Sequence, residues 1–146
     1  MPLRKLTTAA YDRHRDYEMV RSWWRAAGVE PLPLDSMPRL GLWAVEGDAR
    51  FAAAFAYQTT ANFAILAYAV ANPVDDWRQQ AEALTFAVEK MASALRDHRP
   101  DIIMISLAHD QSMHHAYVKR AGFRDTGKVH IAASAPEGVD LDILTE

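Results

Sequence analysis

The sequence has no cysteine, which excludes disulfides, thiolate metal sites and a cysteine nucleophile. Basic charge is not in excess: 16 Lys and Arg against 19 Asp and Glu leave a formal charge of −3. That balance gives no support to broad electrostatic capture of nucleic acid or of an anionic membrane. Glycine is sparse, six in 146 residues, and no Gly-Lys-Ser/Thr phosphate loop occurs. No apolar run approaches the roughly 20 residues of a membrane helix. Met1-Pro2-Leu3-Arg4-Lys5 is not followed by the apolar stretch of a secretory signal. A cytoplasmic protein is the expectation. Half of the residues are hydrophobic and 24% are charged, as in an ordinary globular chain. The length suits one domain with a real core.

Turn signals and periodicity give the element order. Residues 2–6 read as a short first strand. Asp16 opens a helix whose apolar positions Met19, Val20, Trp23, Trp24 and Ala27 fall at helical spacing, with Gly28 as its stop. Residues 29–38 carry Pro31, Pro33 and Pro38 and read as a surface loop. Three strands follow, at 40–46, 51–59 and 63–71, separated by Gly47-Asp48 and by Ala61-Asn62. Such close spacing predicts antiparallel neighbours. Asp75 or Asp76 caps a long helix over 78–98, where Leu84, Val88, Met91 and Leu95 make one buried stripe and Pro100 ends it. Residues 102–107 form a continuous apolar run, expected to be a strand buried on both faces and parallel to 63–71 across a βαβ crossover. A short helix at 112–121 stopped by Gly122, a strand at 128–133 and an acidic tail or edge strand complete the chain. The fold class is α+β: a mixed, mostly antiparallel sheet of about six or seven strands flanked by helices.

The strand–turn–helix from residue 63 to 98 is the stretch that bears on function. The first N–H groups of a helix are unpaired and lie at its positive end, so this turn is suited to an anion. The element order, together with Arg78-Gln79-Gln80-Ala81-Glu82-Ala83-Leu84 at the turn and Ala116-Tyr117-Val118-Lys119-Arg120-Ala121-Gly122-Phe123 near the end, resembles the GNAT superfamily of N-acetyltransferases. The likeness covers roughly residues 2–133. It implies that acetyl-CoA is the cofactor, with its pyrophosphate gripped by the backbone of Arg78, Gln79, Gln80, Ala81, Glu82 and Ala83, and with Ala71 beside it. Arg78 matches the family's first motif position and Ala83 is within the pattern. Ala81 stands where the family has glycine and is expected to add a methyl near the phosphates. Asp75 and Asp76 add negative charge just ahead of the site.

The catalytic positions depart further from the family. Its tyrosine, four residues before the Gly of Gly-Phe, is Val118 here, and Tyr117 lies one residue earlier. One residue is about 100° of helix rotation, so Tyr117, in line with Met113 and Ala116, reads as a core residue ahead of a general acid. Residues 63–71 hold no carboxylate, and Tyr68 is their only hydroxyl. His109, followed by His114 and His115, has the side chain of an ordinary base. A metal pair of histidines has no supporting spacing, and no Ser/His/Asp triad is evident. Trp23 and Trp24 are candidates for the acceptor side, with core packing as the plainer reading.

Two functions follow from the resemblance. One is an acyl-CoA-dependent N-acyltransferase acting on an amine. The other is a catalytically degenerate module that engages a protein partner or a second copy of itself, as the likeness to compact GNAT-like proteins of tailed phages implies. A nucleic-acid binder is disfavoured by the net charge, although Arg4, Lys5, Arg13, Arg15, Arg21 and Arg25 concentrate basic residues early in the chain.

Overall fold

Turn chemistry and alternation build the sheet. Gly47, with φ +59°, closes the hairpin between β2 (Leu40–Glu46) and β3 (Ala49–Gln58). Thr59 Oγ1 accepts from the Ala61 amide and donates back across the next turn, leading into β4 (Phe63–Leu66). A computed structural model of the chain describes residues 4–106 and Phe123. The expected helix at 112–121, the strand at 128–133, the tail, and Tyr117, His109, His114, His115 and His130 lie outside the described residues.

Among the described residues the protein is an α+β fold with a six-stranded mixed sheet. The strands run β1 (Thr7–Ala10), β2, β3, β4 and β6 (Ile103–Ser106), while β5 (Val70–Ala71) also pairs with β3. β1 through β4 are antiparallel neighbours; β4 and β6 are parallel, joined through the helix α2 (Trp77–His98). The first helix, α1 (Arg13–Ala26), packs on the opposite face.

Each face has its own core. Ala52, Ala54, Ala56 and Ala64 meet Ala83, Leu84, Ala87, Val88, Met91 and Leu95 of α2. The expected α2 stripe is therefore the buried one. Alanine, a weak strand former, is used here because small side chains on both partners let helix and sheet approach closely. On the other face, Trp43, Val45, Ala53 and Phe55 meet Val20, Trp23 and Trp24 of α1, with Tyr11, Leu32 and Met37. Gly41 is required there: a Cβ would stand 2.8 Å from Tyr11 Cδ1 and 2.9 Å from Phe55 Cδ1. The proline loop is tied down at two points, by Tyr17 Oη donating to Leu32 O and Tyr57 Oη donating to Ser36 O.

Four expectations need correction. The first strand is Thr7–Ala10, not 2–6, because its register runs opposite Leu42 to Val45. Helix α1 starts earlier, at Arg13, because Asp12 caps it by accepting from the His14 and Arg15 amides. Asp16 is thus inside the helix and buried, and it opens the stripe that continues through Val20 to Trp23 and Trp24. The strand at 63–71 is interrupted, for the reason given below. Finally, β6 alternates rather than being buried on both faces: Ile103 is 64% exposed, because α2 covers one face and α1 does not reach the other.

Candidate functional site

Register counting locates the interruption. Ala56 pairs with Leu66 and Ala53 pairs with Val70. Ala54 and Phe55 of β3 therefore face three residues, Ala67, Tyr68 and Ala69. One extra residue is a β-bulge. It also reverses the alternation, since a shift of one residue sends a side chain to the other face. Tyr68 and Val70 accordingly join the α1 side, while Ala69 and Ala71 join the α2 side.

Tyr68 has φ +63° and is the one non-glycine residue with positive φ among those described. The left-handed conformation costs roughly 1–2 kcal/mol for such a residue, and it persists only where its surroundings fix it. Here Trp24 does so. Its Nε1 donates to Tyr68 O at 3.1 Å, and its ring meets the Tyr68 ring edge-on at 6.0 Å. Trp23 and Trp24 are thus committed to the core, 7% and 2% exposed, and present no open stacking surface. Trp24 acts on the site from behind, through the Tyr68 carbonyl.

The bulge opens the sheet. Among the described residues β4 pairs with β6 from Phe63 opposite Ile103 to Leu66 opposite Ser106, and after Leu66 the chain returns to β3. A cavity of about 10 Å³ remains, lined by Ala54, Phe55, Leu66, Ala67, Tyr68, Ala69, Val88 and Ser106. That is about the volume one water requires. Burial raises the Tyr68 hydroxyl pKa, so the group keeps its proton at neutral pH. Tyr57, on the same face, is pushed up to about 12 by burial, and the Tyr68 hydroxyl adds to the effect.

The start of α2 decides between the two expected caps. Asp76, not Asp75, is the cap, in a reciprocal box with Gln79: Asp76 Oδ1 accepts from the Gln79 amide and Gln79 Oε1 accepts from the Asp76 amide. Asp75 is held instead by Arg4, with both guanidinium contacts at 2.7 Å, while Arg4 lies over the Phe51 ring. Gln80 Nε2 donates to Asp75 O, and its amide bonds Asp76 O. The amides of Ala81, Glu82 and Ala83 fall within the helix ladder, so they are not the free donors that the motif implied. Ala81 and Ala83 are buried, so the Ala81 methyl is packed away from the helix end. Within this turn, the Trp77 and Arg78 amides are the ones without an intrahelical acceptor. Arg78 is exposed and sits over the Trp77 ring, itself 65% exposed. Ala71 pairs with Ala52 and packs toward α2.

The sequence offered no signal for Ser106 or for the tie between Arg4 and Asp75, which are 71 positions apart. Among the described residues, no three His, Asp or Glu side chains converge as a metal site, and no helix is long and apolar enough to cross a membrane. Comparison with known proteins finds no family model that matches the sequence and no curated relative. The functional reading therefore rests on the geometry and on the motif resemblance.

Proposed function

We propose that the chain is a GNAT-type, acyl-CoA-dependent N-acyltransferase, with its reacting centre at the bulge between β4 and β5. The observation that carries the reading is the bulge after Leu66, where the chain crosses back to β3 through Tyr68 at positive φ and a cavity lined in part by Tyr68 lies beside it. The start of α2 supplies the other end of the site. Val88 is 11 residues beyond Trp77, about 16 Å along the helix at 1.5 Å per residue. A long, thin ligand with an anionic end spans such a distance.

The donors present fit acetyl-CoA in part. The Trp77 and Arg78 amides and the Arg78 guanidinium would hold the pyrophosphate, and the cavity walls would hold the acyl end. The Asp76 carboxylate already takes the Gln79 amide, and it must yield if that donor is to serve. When bound, acetyl-CoA would supply an activated acyl group to a neutral amine: C–N would form, C–S would break, and the proton shed by the attacking nitrogen would go to solvent while the departing sulfur is protonated. The ammonium acceptor would first give its proton to water, for none of the described residues lining the cavity is a carboxylate. We assign to Tyr68, protonated at neutral pH and part of the cavity lining, the role of donating to the leaving sulfur and being re-protonated from solvent. Most of the acceleration would come from positioning.

The test is an assay of thiol release from acetyl-CoA over a panel of small amines, peptides and amino-bearing nucleobases. The absence of cysteine means the protein adds no thiol of its own. At least one acceptor should give release above hydrolysis, and Tyr68→Phe should lower the rate about 100-fold. No release with any acceptor, combined with no binding of acetyl-CoA, would overturn the reading. It would leave the second one, a non-catalytic module of the same fold, which the Asp76 cap and the buried Ala81 favour.

A further inference from the structure

We propose that Arg4 is a positioning residue for the anion end of the site: by holding Asp75 it fixes the start of α2 and cancels a charge that would repel a phosphate there. The role rests on the acyltransferase reading and adds to it an N-terminal residue that the motif at Arg78 to Ala83 does not contain. Burial does not hold the first turn of α2. Its first buried residue is Ala81, whereas Val74 and Trp77 are 84% and 65% exposed. Polar contacts hold the turn instead. Asn72 anchors the incoming chain, its amide donating to Phe51 O at 2.8 Å and its Nδ2 to Arg50 O at 3.0 Å.

Asp75 anchors the other end. Each of its carboxylate oxygens accepts from one Arg4 nitrogen at 2.7 Å, and its backbone carbonyl accepts from Gln80 Nε2 at 2.9 Å. A two-pronged guanidinium–carboxylate pair fixes orientation as well as position. The Phe51 ring holds Arg4 in turn, 3.8 Å from its Cζ. Trp77 and Arg78, whose amides are the free donors, follow directly after Asp75 and the Asp76 cap. Charge gives a second, separate reason. The Asp75 side chain is 6% exposed, and Arg4 is its ion-pair partner among the described residues. A charge so removed from water is screened little. Without Arg4 it would oppose an anion at the neighbouring amides.

The experiment is calorimetric titration of the full chain and of Arg4→Gln with acetyl-CoA, inorganic pyrophosphate and S-acetylpantetheine, the last carrying the acyl thioester without phosphate. Arg4→Gln should weaken acetyl-CoA and pyrophosphate about tenfold and leave S-acetylpantetheine unchanged. Arg4→Lys keeps the charge but not the two-pronged contact, so it should weaken the two phosphate ligands about threefold. Unchanged affinity of Arg4→Gln for acetyl-CoA would overturn the role of Arg4 and leave the acyltransferase reading standing. An equal loss for all three ligands would make Arg4 a general structural tie and would also overturn it. Binding of none of them by the unaltered chain would overturn both. If Arg4→Gln fails to fold, Arg4→Lys decides the matter, with the same sign and the same selectivity for phosphate required.

Discussion

The two faces of the sheet are built on opposite plans. The α2 face is apolar apart from Thr85, whose hydroxyl donates to Ala81 O: alanines of β2, β3 and β4 meet alanines, leucines, Val88 and Met91 of α2. The α1 face is aromatic and holds a buried charge. Asp16 Oδ2 accepts from the Asp12 amide at 2.9 Å, Arg15 Nη2 at 2.9 Å and Trp43 Nε1 at 3.0 Å. Arg50 approaches Asp16 Oδ1 at 3.3 Å and lies over the Trp43 ring. Burial alone would raise the Asp16 pKa, but the hydrogen bonds from Arg15, Asp12 and Trp43, with the Arg50 charge, hold it well below the usual carboxylate range. The first face is fixed by volume and the second by directional polar contacts. The candidate site lies where the bulge joins them, with Val88 from one side and Tyr68 from the other.

That contrast can be broken at four places. Asp16→Asn should have the largest effect, lowering stability by about 3 kcal/mol in denaturant unfolding, because it leaves Arg15, Arg50 and Trp43 around a neutral group. The pH dependence should follow. The folded pKa is depressed, so the Asp16 contribution is fully present above the unfolded value of about 3.9 and fades as pH falls below it. The variant should lack that acid limb. Ala87→Leu should come next, costing about 2 kcal/mol by forcing α2 off the sheet without changing the acid limb.

The last two predictions compare tyrosines. Tyr11 Oη is buried with no hydrogen-bond partner among the described residues. Tyr11→Phe should therefore raise stability by about 1 kcal/mol, seen as a higher unfolding midpoint. The Tyr68 side chain also hydrogen-bonds to no described residue, and Tyr68 is among the residues that line the cavity. Tyr68→Phe should leave stability within about 0.5 kcal/mol while removing most of the acyl transfer. A large stability loss in Tyr68→Phe, with transfer unchanged, would reverse the roles assigned to the two residues.

Much of this architecture was legible in the sequence. Gly47-Asp48, Ala61-Asn62 and Pro100 punctuate the elements, and the Leu84–Val88–Met91–Leu95 spacing identifies the buried face of α2. The antiparallel strands and the parallel crossover follow from loop lengths. The site was less legible. Ala67-Tyr68-Ala69 carries no glycine, proline or asparagine, so nothing local announces a left-handed residue; the cause is Trp24, 44 positions away. Asp16 reads as a helix-opening residue, and only the cap at Asp12 moves it into the core. The motif at Arg78 to Ala83 falls at a helix start, as expected, but does not tell which amides an Asp76 cap leaves free.

The most direct measurement is calorimetric titration of the unaltered chain with acetyl-CoA, with the Tyr68 resonances followed by NMR in parallel. A single saturable site in the micromolar range, shifting Tyr68 and the amides of Trp77 and Arg78 together, is the predicted result. No heat at millimolar acetyl-CoA, or binding that leaves Tyr68 unmoved, would contradict the assignment of the bulge as the reacting centre.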